Sequence, residues 1–263
     1  MSGFTELFPV ASQPHQMLME SMTGIPMTDG MVFLAIHLGV FFAISVSCRS
    51  HIQRLRSEAR HEKISRRRKR QGERKISFDA RVLKTAIFPL LLSLFLYHIA
   101  SEWIDSFPLL ILTLVINGVL LFLPSLAAQG NKDGRNMSRL DSVLIGLGGA
   151  IGVIPGCSRI AGMISVGSLR GVDREYMLDM VFILSIPVLL VLLVLDIYSV
   201  FLARFALSFL DIVIYLLMAS VSFLGAYLCC LSLRFLAAKT SFASFCYYSW
   251  GMALFSFILY LMI

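Results

Sequence analysis

The sequence predicts an all-α polytopic membrane protein with six transmembrane helices and two re-entrant hairpins in an inverted repeat. Three observations support this fold class. Of the 263 residues, 57% are hydrophobic and the mean hydropathy is +0.80, whereas soluble domains are about 45 to 50% apolar. Long apolar runs recur along the chain, and two apolar segments are interrupted by short polar breaks that contain proline.

Six apolar segments are candidates for membrane-crossing helices, because a helix needs about 20 mostly apolar residues to cross the hydrocarbon core. They comprise residues 31–48, 86–100, 109–128, 178–200, 205–233 and 242–263. The whole chain is therefore expected to form one membrane domain, residues 1–263.

Positive charge is concentrated in one loop. The net charge is +7, and 14 of the 23 lysines and arginines lie at residues 49–84, against four acidic residues there. Short basic loops beside membrane spans stay on the cytoplasmic side and attract anionic lipid headgroups, so we place this loop in the cytoplasm and residues 101–108 outside. No segment resembles a nucleic-acid-recognition module. The expected partner is therefore the lipid bilayer and not a nucleic acid.

One of the polar breaks interrupts the moderately apolar, glycine-rich stretch at residues 143–169. The sequence PGCSR at residues 155–159 lies in its middle, which predicts a re-entrant hairpin. Irregular backbone at membrane depth occurs only where protein or a wet cavity satisfies its polar groups. An arginine at that depth, here Arg159, is a candidate functional residue.

The other break lies near the N-terminus, and the two breaks suggest an internal repeat. FPVAS at residues 8–12 parallels IPGCS at residues 154–158, and MVF opens a span after each break, at residues 31–33 and 180–182. The first half is then about residues 1–128, including the basic loop 49–84, and the second about 142–263. Three spans per half invert the second half, and inverted repeats place their broken helices together near the midplane. Chance similarity between apolar segments is the alternative.

If the two breaks meet, their polar side chains have the chemistry of phosphoryl transfer. The guanidinium of Arg159 matches phosphate oxygens, and the start of the helix after Ser158 adds attraction for anions. The Ser12 hydroxyl can attack phosphorus if Glu6 or His15 takes its proton. The other of these two could protonate the leaving oxygen or hold a metal ion.

Each of these residues also has a simpler interpretation. Ser12 can serve as a helix cap, His15 can lie at the lipid interface, and Glu6 can belong to a solvated terminus. His37, in the first span, is interpreted as a packed polar residue, and Asp196 as an interfacial one.

The sequence resembles the bacitracin-resistance family of undecaprenyl-diphosphate phosphatases over nearly its whole length. GFTELFPVAS at residues 3–12, followed by His15, resembles the N-terminal motif of that family, and PGCSR at residues 155–159 resembles its second motif. LRGVDRE at residues 169–175 and the IP pair at residues 186–187 continue the likeness. The motifs occur in the family's order, each in a broken apolar segment.

The resemblance implies hydrolysis of undecaprenyl diphosphate to undecaprenyl phosphate and inorganic phosphate, as part of lipid carrier recycling for peptidoglycan synthesis. It implies a divalent cation, Mg or Ca, with Glu6 as a metal ligand, in a site facing the outer side of the bacterial cytoplasmic membrane. A homodimer is an open expectation. The catalytic residues would be Glu6, Ser12, His15 and Arg159, and the substrate-binding residues Gly156, Cys157 and Ser158.

The sequence also departs from the family pattern around the motifs. Ser2 stands where the family has a glutamate, Gly149 replaces a glutamine, and IAGM at residues 160–163 replaces Ser-Gly-Ala-Thr. Phosphate contacts are therefore expected to be fewer. The alternative function is a non-hydrolytic binder or flippase of polyprenyl phosphate, since broken-helix repeats are a transporter architecture. A third is a small-ion or solute transporter that uses His37 and Glu6.

Overall fold

The described part of the chain is helical throughout, with short connections and no strand. The computed structural model describes residues 2–12, 14–16, 30–57, 78–100, 107–128, 130–134, 136–154, 156–203, 208–239 and 242–262. The α-helices are α1 (Ser2–Thr5), α2 (Gly30–Ser47), α3 (Phe78–Ala100), α4 (Phe107–Phe122), α5 (Arg139–Ala150), α6 (Arg159–Leu169), α7 (Arg174–Ala203), α8 (Phe209–Lys239) and α9 (Phe245–Met262).

The chain is a multi-pass α-helical membrane protein. Five helical segments among the described residues are long and apolar enough to cross a membrane, and they overlap five of the six predicted spans. The five are Gly30–Ser47, Pro108–Leu126, Arg174–Leu202, Phe209–Ala237 and Phe242–Leu261. The span predicted at residues 86–100 lies in α3, which is helical over 23 residues and contains Pro89, but α3 is not one of the five. The count of six therefore stays a prediction.

Helix α2 packs between α7 and α8. Two pairs show that α2 and α7 are antiparallel: His37 contacts Asp196 at 2.6 Å, and His51, just beyond α2, contacts Asp179 at 3.1 Å. Small residues allow close approach to α8, since a Cβ at Gly39 would lie 2.4 Å from the Ala219 carbonyl oxygen. Antiparallel packing is what an inversion between the halves requires, although the repeat itself stays a prediction.

Helices α5 and α6 form the hairpin expected around the second break. Their backbones cross where Gly148 meets Gly162, because a Cβ at Gly162 would lie 2.0 Å from the Gly148 carbonyl oxygen. Helix α5 also packs along α3. The hairpin is therefore held inside the bundle. Pro155, between its arms, lies outside the described residues, as does most of the basic loop, residues 58–77.

A buried carboxylate fixes the start of the hairpin. Asp141 forms a capping box with Ser138, and it also contacts Arg170 at 2.6 Å and Lys132 at 3.7 Å. Burial alone would raise the pKa of Asp141, but the hydrogen bonds from Ser138 and Arg170 together with the Lys132 charge lower it below its ordinary value. Asp141 is therefore a carboxylate at neutral pH, tying the beginning of α5 to the end of α6.

The Asp141→Asn substitution is expected to lower the apparent melting temperature in detergent by about 5 °C, which is equivalent to a loss of about 2 kcal/mol in the free energy of unfolding. The amide retains part of the cap but loses the charge that Arg170 and Lys132 contact. Because the folded-state pKa of Asp141 is lowered, its stabilisation is present at neutral pH and disappears as the pH falls through that value. Melting curves of the two proteins should therefore converge in acid.

The matched control is Asp211→Asn, since Asp211 forms the same kind of hydrogen bonds with Ser208 at the exposed start of α8. Asp211 is not part of the charged cluster around Asp141, so we expect a loss of about 1 °C. Equal losses from the two substitutions would contradict the importance assigned to the Asp141 cluster.

Candidate active site

A cavity of about 350 Å³ lies where the two polar breaks meet. The first break contributes Glu6 and Ser12 to its lining, and the second contributes Cys157, Ser158 and Arg159. Helices α2, α3 and α7 complete the wall. Of the residues predicted for the site, His15 and Gly156 do not line this cavity.

Glu6 joins Ser12 to Arg159. The Ser12 hydroxyl donates to Oε2 of Glu6 at 2.9 Å, and Nη2 of Arg159 donates to Oε1 at 3.1 Å. The Arg159 and Glu6 side chains are only 14% and 17% exposed, so each charge needs the other. Nε of Arg159 is buried and makes no hydrogen bond within the described residues. The guanidinium therefore keeps a donor that no described residue uses.

The breaks are also joined through Ser158 and Asn117. Ser158 caps α6 by accepting a hydrogen bond from the Ala161 amide, and its hydroxyl donates to the Phe8 carbonyl oxygen at 3.3 Å. The Ser158 amide donates to Oδ1 of Asn117 at 2.8 Å, and the Asn117 amide nitrogen lies 3.5 Å from the Pro9 carbonyl oxygen. The hydroxyl and the backbone amide of Ser158 are therefore both used in hydrogen bonds that hold the two breaks together. Asn117 was not predicted, although it is a lone amide in an apolar span.

Gly156 and Cys157 shape the second break. Gly156 has φ +86°, and a Cβ there would lie 2.0 Å from Oγ1 of Thr113, so only glycine fits. Cys157 is buried, and its thiol donates a weak hydrogen bond to the Thr113 carbonyl oxygen at 3.7 Å. Cys157 therefore packs against α4 next to Gly156.

Both ring nitrogens of His15 have partners other than Ser12. One ring nitrogen, Nδ1, lies 2.8 Å from the Ala11 carbonyl oxygen, and the other, Nε2, lies 2.5 Å from the Tyr248 hydroxyl. Because a carbonyl only accepts, Nδ1 carries the proton and Nε2 accepts from Tyr248. Burial lowers the pKa of His15, which favours this neutral form. Both ring nitrogens are thus occupied, and sequence reasoning did not anticipate Tyr248.

His37 and Asp196 line the same cavity. Nδ1 of His37 lies 2.6 Å from Oδ2 of Asp196, and their side chains are 13% and 16% exposed. Asp196 is thus paired inside the bundle, whereas the sequence analysis predicted an interfacial position for it. The sequence indicated only that each of two apolar spans contains a polar residue. It did not indicate that these two residues pair, because packing determines which helices face each other.

Two of the departures from the family pattern contact each other. A Cβ at Gly149 would lie 2.8 Å from Cγ of Met163 and 2.5 Å from Cδ2 of Leu90. Met163 is fully buried, so its side chain occupies the space beside Gly149. Gly149 and Leu90 line the cavity here, so this stretch of its wall is apolar, while Met163 packs against Gly149 without lining the cavity.

Comparison with known proteins agrees with the motifs and the fold. The family described as bacitracin resistance protein BacA matches residues 1–255. The chain belongs to the BacA family. An undecaprenyl-diphosphatase of Albidiferax ferrireducens is 28% identical over 255 residues, covering 94% of this chain and 87% of that protein. One from Alkaliphilus metalliredigens is 28% identical, covering 95% and 92%, and one from Carboxydothermus hydrogenoformans is 24% identical, covering 95% and 90%. Relatives named undecaprenyl-diphosphatase therefore match this chain over nearly its whole length.

The Asn117→Leu substitution is expected to remove the hydrogen bonds by which Asn117 connects the two breaks. The Ser158 amide would lose its partner, and an unpaired buried group costs about 1–3 kcal/mol, which corresponds to a fall of about 3–8 °C in the apparent melting temperature. The control is Thr113→Val on the same helix, because the Thr113 hydroxyl bonds only carbonyls of its own helix, those of Leu109 and Leu110. We expect the control to lose less than about 2 °C, and equal losses would contradict the bridging role.

Gly149→Gln and Met163→Thr are expected to be coupled. The glutamine alone collides with Met163, whereas the threonine alone leaves a gap, so the double variant should be more stable than the sum of the single losses by about 1 kcal/mol. Melting temperatures of the four proteins of the cycle measure this coupling. Additive losses would show that the two positions do not share one space.

Proposed function

We propose that this protein is a polyprenyl-diphosphate phosphatase that hydrolyses undecaprenyl diphosphate to undecaprenyl phosphate and inorganic phosphate. The observation that carries the proposal is the hydrogen-bonded series Ser12–Glu6–Arg159 in one cavity. It combines a hydroxyl, a base and a phosphate-binding guanidinium. Relatives named undecaprenyl-diphosphatase support this choice of substrate.

Ser12 is the nucleophile in this proposal, since it lines the cavity and donates to Glu6, whereas His15 is occupied by Ala11 and Tyr248. As Oγ of Ser12 bonds to the terminal phosphorus, its proton passes to Glu6, and the bond from that phosphorus to the bridging oxygen breaks. The electron pair of that bond leaves with the lipid monophosphate. Water then attacks the phosphorus of the phosphoserine, the bond from phosphorus to Oγ breaks, Glu6 returns the proton to Oγ, and the inorganic phosphate leaves with both hydrogens of the water.

Arg159 stabilises the charge that develops on the transferred phosphoryl group. Its guanidinium is positioned by Glu6 and keeps a buried donor at Nε that no described residue uses. Such preorganised donors act strongly where water is excluded. The N-terminal end of α6, which begins at Arg159, adds a favourable dipole. Arg159 is therefore the side chain on which the rate depends most.

A divalent cation fits this chemistry through Glu6 and the substrate's own phosphate oxygens. Mg²⁺ commonly binds through one or two carboxylates plus phosphates, and it would neutralise phosphate charge. The described residues contain no group of three or more histidines, cysteines and acids arranged to hold a metal by themselves. Shared ligation with the substrate is thus the arrangement that the cavity supports.

The proposed location is the bacterial cytoplasmic membrane with the cavity open to the outer side. His37 lies in the first half of α2, and the basic segment follows the other end of that helix. Retention of basic loops in the cytoplasm then directs the cavity away from it. The lipid bilayer supplies the substrate.

The alternative function is a non-hydrolytic carrier of polyprenyl phosphate. The observation that favours it is the apolar stretch of cavity wall at Gly149 and Leu90, which reduces the number of polar groups available to a transition state. A carrier needs only to bind the lipid phosphate and to release it on the other side of the membrane.

Phosphate release from long-chain polyprenyl diphosphate by the purified protein, with Mg²⁺ or Ca²⁺ in detergent, tests the phosphatase. Arg159→Ala is expected to lower kcat/KM about 10³-fold, and Arg159→Lys less, because lysine keeps the charge but not the planar fork. The control is Arg234→Ala, which breaks a pair with Asp179 at 3.0 Å outside the cavity and should change kcat/KM less than about threefold.

Failure of the wild-type protein to release phosphate would overturn the phosphatase. Vesicles then decide the alternative: a carrier would move labelled polyprenyl phosphate between leaflets without cleaving any diphosphate, and Arg159→Ala would slow that movement.

A further inference from the structure

The pair formed by His37 and Asp196 has no part in the mechanism above, although it lines the same cavity as Glu6 and Arg159. It joins two different helices, α2 and α7, and both side chains are mostly buried. A hydrogen bond of 2.6 Å between them fixes the imidazole ring. The cavity thus has two polar centres, one at the breaks and one between α2 and α7.

The hydrogen bond to Asp196 leaves one ring nitrogen for a ligand. Nδ1 of His37 donates to Oδ2 of Asp196, because a carboxylate only accepts. Nε2 makes no hydrogen bond to the residues that the structure describes. An anionic oxygen bound at Nε2 needs an N–H donor there, so the ring carries both protons in the bound complex.

The charges of the lining favour such an ion at this place. Arg159 is balanced by Glu6, and Asp196 adds a second negative charge. A diphosphate entering this cavity would meet a net negative lining unless His37 carries a proton. The protonated ring neutralises Asp196 and supplies a cationic donor away from the breaks.

The wall beside the pair is apolar. Val188, Leu192 and Leu195 precede Asp196 on α7 and line the cavity with it. A prenyl chain from the bilayer can lie against this surface because it buries no unpaired polar group there. Since Ser12 attacks the terminal phosphorus at the breaks, the phosphate that keeps the lipid chain is placed at the α2–α7 side.

We propose that His37, positioned by Asp196, is a second anion subsite, which binds the phosphate ester that stays on the lipid, while Arg159 binds the phosphate that is released. This inference rests on the proposed function for the order of the two phosphates. The ligand class is a phosphate monoester of a long-chain alcohol. His37 is the ligand-contacting residue, and Asp196 is a positioning residue.

Inhibition by each of the two products tests one of the two subsites. In steady-state assays of the full-length protein, His37→Gln is expected to raise KM for polyprenyl diphosphate and the inhibition constant of polyprenyl monophosphate about tenfold. The inhibition constant of inorganic phosphate should change less than about threefold. Arg159→Lys should show the reverse pattern, with the larger change for inorganic phosphate. Asp196→Asn should resemble His37→Gln in direction, with kcat affected less than KM.

The control is His51→Ala. His51 contacts Asp179 at 3.1 Å between the same two helices but does not line the cavity, so both inhibition constants should stay within about twofold. Melting temperatures show which variants are folded, and His37→Asn replaces His37→Gln if the latter is not. Equal changes for both products in the His37 variant, or no change for the lipid monophosphate, would overturn the proposal.

The subsite can be tested even if the protein does not hydrolyse its lipid. Direct binding of polyprenyl monophosphate and of inorganic phosphate to purified protein needs no turnover. Loss of lipid monophosphate binding in His37→Gln, with the wild type inactive as a phosphatase, would retain the subsite and reject the proposed hydrolysis. Unchanged lipid monophosphate binding in His37→Gln, with a wild type that is active as a phosphatase, would reject the subsite and retain the proposed hydrolysis.

Discussion

The ion pair between Arg159 and Glu6 is the constraint on which the arrangement of the bundle centre depends. An arginine inside an apolar bundle needs a counterion, and breaking such a pair by removing one partner costs about 3–5 kcal/mol. Its counterion comes from a segment 153 positions away in the chain. The pair can therefore form only when both polar breaks reach the same depth, which brings Ser12 and the cap at Ser158 to the cavity as well.

The neutral hydrogen bonds around the ion pair make this arrangement specific. A charge pair tolerates several geometries, whereas the Ser158 hydroxyl both caps α6 and contacts the Phe8 carbonyl, and Asn117 contacts the other side of the joint. Buried polar groups must be paired, so an alternative packing would leave several of them unsatisfied. Gly156 allows this proximity because its backbone has a positive φ and no Cβ.

Much of the fold was predictable from the sequence because apolar length and broken segments are local properties. Five predicted spans correspond to long apolar helices, and the hairpin expected around residues 155–159 is formed by α5 and α6. The helix boundaries were less predictable: α7 begins at Arg174, before the apolar run, because a charged first turn can extend a helix out of the membrane.

Side-chain partners were predictable only where a motif named them. Arg159, Glu6 and Ser12 could be grouped because the predicted repeat places the two motifs at equivalent positions. Asn117, Tyr248 and Asp196 could not, because each is a single polar residue whose neighbours depend on how its helix is rotated about its axis. That rotation is set by the packing of whole helix faces, such as the approach of α2 to α8 at Gly39.

The two histidine–aspartate pairs have a mechanical consequence for α2 and α7. Asp179 and Asp196 are 17 positions apart on α7, or roughly 25 Å along that helix, and they pair with His51, just beyond α2, and with His37, within it. Sliding one helix past the other by a single turn would break both contacts at once. The two pairs therefore oppose shear between α2 and α7.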